Sequence, residues 1–224
     1  MSKPTPRTDT EAQLRGFGPL GILAIVVILA GNFLFTPLSA ILVLAWVKAS
    51  GTPWRDIGYE RPEYWLRSIA VGIVFGVAFK LVMKAVVMPL LGADPVNHAY
   101  HYFAGNTAAM PGAIYSMIVI AGWGEETLFR GYLFERLGKL FGTSTMAKTA
   151  IVVLTALWFG LAHYSVQGIS GAEQAAIVGV VYGLIFVRTG NIWMLMIAHA
   201  TFDLTALAMI YWNLETAVSR LVFG

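Results

Sequence analysis

GWGEETLFRGYLFERLG, residues Gly122–Gly138, follows PGAIYSMIVIA, residues Pro111–Ala121, a run apolar enough to lie in a membrane. Glu125, Glu126 and Arg130 therefore stand where an ionised side chain costs about 2.5–3.5 kcal/mol on insertion scales. They need partners, and helical spacing supplies one pair. Residues 126 and 130 are four apart and lie about 40° from each other around a helix, with the acid on the N-terminal side. Glu126 and Arg130 can neutralise one another. Glu125 points about 100° away and has no local partner, which suits a carboxyl that takes part in proton exchange. Gly122 and Gly124 just before it loosen the helix and leave room for water or a strand of substrate.

The rest of the chain reads as membrane too. Of 224 residues, 58% are hydrophobic and only 12% charged, against about 25% in soluble domains; mean hydropathy is +0.70. Lipid is the solvent such a composition requires. Without cysteine there is neither a disulfide framework nor a thiolate nucleophile. No basic cluster is dense enough for nucleic acid. The expected architecture is an all-α polytopic bundle of six to eight membrane helices around a polar intramembrane cavity. Residues 1–16 read as a disordered polar tail, 17–212 as one transmembrane domain with its motif-bearing core at about 112–212, and 213–224 as a short C-terminal tail.

Residues 17–47 would make one helix of about 46 Å, longer than a bilayer core of about 30 Å. Asn32 and Pro37 interrupt the block, so a helix-break-helix hairpin is expected. Residues 48–67 mix Trp54, Tyr59, Tyr64 and Trp65 with Lys48, Arg55, Arg61 and Arg67, a headgroup-level composition. Spanning helices follow at about 69–91, 112–140, 147–164, 171–188 and 191–212. Arg136, Lys139 and Lys148 surround one turn, while the 92–111 loop and the turn after Tyr164 hold no Lys or Arg. The basic segments share one side only if the first block crosses twice, and that side is then cytoplasmic.

Two further clusters carry chemistry. LWFGLAHY places Phe159 and His163 four apart, and MIAHATFDL does the same for His199 and Asp203, so each pair lies on one helix face. A lone histidine on an apolar helix is more often packed than reactive; four polar sites on three helices, all free to face one cavity, are hard to explain by packing. A water between Glu125 and His163 would have a base for its proton, with His199 and Asp203 on the oxyanion. Alternatively, Glu125, His163 and His199 could hold a divalent metal such as zinc with an open position. No serine sits in a nucleophile elbow. Lys80 and Lys84 share a face and read as snorkelling or cavity-lining cations. His98, Tyr100, His101 and Tyr102 read as an interfacial belt, and Glu173 with Gln174 as helix-dipole partners.

In order, EETLFR matches E-E-x-x-x-R, FGLAH matches F-x-x-x-H, and HATFD matches H-x-x-x-(N/D). Together they resemble the CAAX protease and bacteriocin-processing family, intramembrane endopeptidases related to the Ras-converting CAAX prenyl protease. The resemblance covers about residues 50–212, because WRDIGYERP is similar to the segment before that family's core helices. It implies a membrane endopeptidase in which Glu125 and His163 activate water, His199 and Asp203 form the oxyanion site, and Glu126 and Arg130 support them. The family is described both as metal-dependent and as metal-free; the metal-free form is expected here. Asp203 stands where prenyl-processing members carry Asn. The implied partners are the lipid bilayer and a membrane or lipidated peptide substrate, in a bacterial cytoplasmic membrane. The rival readings are a non-catalytic scaffold or immunity protein of the same fold, and a proton-coupled transporter.

Overall fold

The structure, a computed structural model, describes residues Asp9–Phe223. Among them every regular element is a helix. We number the principal ones α1 (Asp9–Arg15), α2 (Pro19–Leu34), α3 (Thr36–Ala49), α4 (Trp65–Leu90), α5 (Thr107–Phe141), α6 (Thr145–Thr189), α7 (Trp193–Tyr211) and α8 (Glu215–Ser219). Their outer faces expose Val26, Val74, Leu161 and Val166, side chains that only lipid would solvate without penalty.

Four helices, α4 to α7, are long and apolar enough to cross a membrane; α1 with α2, bent by 54°, would make a fifth. The expected six to eight is not confirmed by this measure, for two physical reasons. The apolar part of α3, Pro37–Ala49, is too short. And α6 is a single 45-residue run that takes in both segments expected at 147–164 and 171–188. It is nevertheless folded in two. Gly168 leaves helical geometry with φ +66° and ψ −163°, and the arms return antiparallel: a Cβ on Gly160 would press on Ala172 and Ala176, and one on Gly179 on Ala156. The first block bends at Phe35, between Asn32 and Pro37, where φ −170° and ψ 113° break the ladder. Ser39 Oγ then donates to the Ile28 carbonyl at 2.8 Å across the hairpin.

The tail expected to be disordered is corrected where it is described: Asp9–Arg15 is helical and tied down. Trp46 Nε1 donates to the Leu14 carbonyl, and Arg15 pairs with Asp56 at 3.0 Å. Residues 1–8 lie outside the described range. The C-terminal tail likewise contains α8, whose buried Glu215 pairs with Lys84 at 3.1 Å.

Helix α7 runs through the middle. Gly72 and Gly76 let α4 lie directly against it, since a Cβ on Gly76 would sit 2.1 Å from Thr201 Oγ1 and 2.3 Å from the Ala198 carbonyl. On its other flank Gly122 of α5 meets Met196 and Ala200. Gly122 and Gly124 are both buried. At Gly122 the room expected for water or substrate is thus filled by α7.

The bundle has two distinct ends. At one, Arg136 donates to the Arg15 carbonyl, the Gly58 carbonyl accepts from Ile192 N–H, and Asn191 donates to the Glu60 carbonyl. This end gathers the basic linkers at 48–67 and 136–148. At the other, Gly105 N–H donates to the Tyr211 carbonyl, Gln167 donates to the Tyr100 hydroxyl, and Glu215 accepts from Lys84 and from Asn97 N–H.

Candidate active site

Helix α5 delivers both glutamates from an unusual backbone. Over Ser116–Glu125 and again over Thr127–Leu133 its hydrogen bonds run in the wider π register, which elsewhere marks functional positions. Arg130 Nη1 donates to Glu126 Oε1 at 2.9 Å, with both side chains sealed from solvent. The guanidinium lies over the rings of Phe159, 4.9 Å from its centroid, and Tyr182, at 5.4 Å. A buried charge pair gains from such neighbours, because the aromatic faces offer negative potential where water is absent.

The same oxygen of Glu126 has a second partner. His199 Nδ1 donates to Glu126 Oε1 at 2.7 Å, so one carboxylate oxygen joins α5 to α7. With Nδ1 committed, Nε2 of His199 faces the remaining acids: it lies 3.8 Å from Glu125 Oε2 and 3.7 Å from Asp203 Oδ2. His163, on the first arm of α6, keeps its ring 4.5 Å from that of Phe159 and places Nδ1 2.8 Å from the Phe159 carbonyl. A carbonyl only accepts, so Nδ1 carries the proton and Nε2 is the basic nitrogen.

Glu125, His163, His199 and Asp203 line one cavity of about 580 Å³. Glu126 and Arg130 stand behind the wall. Glu125 and Asp203 are half-buried, with side chains 18% and 29% exposed, whereas His199 is 5% exposed. Lys80 also reaches the cavity, buried, with Nζ 3.0 Å from Gln174 Oε1 and 4.7 Å from the Phe202 ring centroid. Gln174 is therefore a cavity residue. Lys84 instead pairs with Glu215, and His98 lies 3.2 Å from Asp94. The Asp94 carboxyl titrates below the usual range because Val96 N–H donates to it, helped by His98. Tyr100, which lines the mouth, has its phenol pushed up by burial and then by the charges of Asp203 and Glu125; it stays a neutral O–H.

Among the described residues no group of three or more His, Asp and Glu side chains is placed to hold a metal ion. The alternative set of Glu125, His163 and His199 is not assembled for zinc in this arrangement, whose ligands would sit about 2.0–2.2 Å from the ion. Two contacts escaped the sequence reading. The Glu126–His199 bond joins residues 73 apart, and only the general need of a buried imidazole for a partner hints at it. Tyr182, fully buried with its hydroxyl unpartnered, packs its ring 5.8 Å from that of His199, and no local pattern marks it.

Residues 107–205 match the model of one protein family, the type II CAAX prenyl endopeptidase, Rce1-like. They form an Rce1-like domain. The matched span takes in α5, α6 and most of α7, and with them all six residues singled out from the sequence. It is narrower than the resemblance drawn from about 50 to 212, because WRDIGYERP falls outside it. Neither a curated protein nor a solved structure matches the chain. An Rce1-like domain points to an intramembrane endopeptidase of CAAX-protease type. The apolar helices make the chain a multi-pass integral membrane protein.

Proposed function

We propose that the Rce1-like domain hydrolyses peptide bonds of membrane or lipidated substrates with a water activated by Glu125 and His163, without a metal. The observation that carries this reading is the convergence of Glu125, His163, His199 and Asp203, from three helices, on one cavity. Water placed between the Glu125 carboxylate and the free Nε2 of His163 gives up a proton as its oxygen attacks the scissile carbonyl carbon. The carbonyl oxygen becomes an oxyanion. Nε2–H of His199, oriented through Nδ1 by Glu126, donates to it. Asp203, with Oδ2 3.7 Å from Nε2, holds the imidazole in place; an ionised Asp accepts and does not donate. The stored proton then passes to the amide nitrogen, the C–N bond breaks, and a carboxylate and an amine leave. The walls beyond the polar group, with Met117, Ile120, Leu207 and Ile210, suit apolar side chains or a lipid tail.

The test is cleavage of a peptide or lipidated reporter by the purified, reconstituted protein. Glu125→Gln and His163→Ala should each lower kcat by about 10²–10⁴, and His199→Ala by about 10²–10³. A chelator should leave the rate unchanged. Wild-type rates in Glu125→Gln and His163→Ala would sink the mechanism, and absence of cleavage in the parent protein would favour a scaffold or a proton-coupled transporter.

A further inference from the structure

Every helix that lines the cavity does so with the half away from the basic end. On α5 the lining residues run from Ala109 to Glu125, and none follows toward Phe141. On α7 they begin at His199 and continue to Ile210, leaving Trp193–Ala198 out. On α6 they cluster about the Gly168 turn, from Phe159 to Val178.

The opposite direction is closed. Behind Glu126 and His199 the Tyr59 hydroxyl bonds Thr127 Oγ1 at 2.7 Å. Below that, Ile57 and Ile192 are wholly buried and Gly131 of α5 packs on the Ile57 backbone. At the open end the lining residues Tyr102 and Gly112 are exposed. Lys and Arg are just as unevenly placed. They crowd the linkers at the closed end, whereas residues 91–111 and the Gly168 turn contain none; at the open end Lys84 is neutralised by Glu215, and Arg220 after α8 is the exception. Basic linkers of this length stay in the cytoplasm during insertion.

We infer that the cavity opens to the side of the membrane away from the cytoplasm, and that its substrate is a peptide segment anchored in, or emerging from, the outer leaflet. The word substrate rests on the endopeptidase reading; the direction of access does not. The upper part of α5, with Ser116 and Ile120, faces the first arm of α6, with His163 and Gln167, across the cavity. A chain held in the outer leaflet would reach Glu125 along this gap, whereas one on the cytoplasmic side would meet the packed Ile57–Ile192 floor.

The chain contains no cysteine, so single replacements report position without background. Tyr102→Cys lies at the mouth and Met146→Cys at the basic end, where the native side chains are 60% and 81% exposed. In intact cells of a bacterial host, a membrane-impermeant sulfonated maleimide should label Tyr102→Cys, and should reach Met146→Cys only after permeabilisation. Labelling of Met146→Cys in intact cells, or protection of Tyr102→Cys until permeabilisation, overturns the inference. Repeating both labels in a Glu125→Gln background reads the topology without any need for cleavage. In right-side-out vesicles an impermeant peptide reporter should be cut without detergent. Cutting only after detergent sinks the direction of access alone, and no cutting even with detergent sinks the endopeptidase reading alone.

Discussion

Glu126 accepts two donors on one oxygen, the Arg130 guanidinium and the His199 imidazole, while its Oε2 and Arg130 Nη2 are buried without partners. Removing the negative charge strands a guanidinium in a medium that solvates it poorly. Glu126→Gln should therefore destabilise the fold by about 3–5 kcal/mol, a fall of about 6–20 °C in the unfolding midpoint measured in detergent. The same change frees His199, so kcat should drop in whatever protein stays folded. Half of this arrangement was legible beforehand: i, i+4 spacing pairs Glu126 with Arg130 whatever the fold. The bond to His199 was not. It depends on how α5 and α7 are rotated against each other, and three acids, Glu125, Glu126 and Asp203, could equally have claimed that imidazole.

Among elements, the close approach of α4 to α7 rests on absent side chains. Gly76→Leu would drive a Cβ into the Thr201 side chain and into the Ala198 carbonyl, the latter backbone that cannot yield. It should abolish a monodisperse peak in size-exclusion chromatography, whereas Gly112→Ala, with nothing within 4 Å of its Cβ, should elute as the parent protein does. The turn between the arms of α6 was legible as a gap between apolar runs at 164 and 171, with glycine at hand. The contrary lesson comes from Gly122, where the sequence suggested looseness and the structure has a helix crossing. Glycine marks a place where backbone comes near something, and only the partner helix says what. The helical order of Asp9–Arg15 also escaped, because polar composition alone cannot reveal that Leu14 and Arg15 meet Trp46 and Asp56.

As a whole, the molecule offers the bilayer an uneven girdle. Helix α4, with 26 residues, is about 39 Å long, but the arms α2 and α3, of 16 and 14 residues, reach only about 24 and 21 Å. Against hydrocarbon about 30 Å thick, the flank they form is several ångströms too short, and acyl chains beside it must compress. The fold thus carries a built-in preference for thin membranes on one side. Reconstituted into phosphatidylcholines of increasing chain length, it should be most stable in 14-carbon lipids and lose thermal resistance steadily toward 22 carbons. A variant with α2 lengthened by two helical turns should shift that optimum to longer chains. Lipid thickness would then place this protein among membranes as surely as any sorting signal.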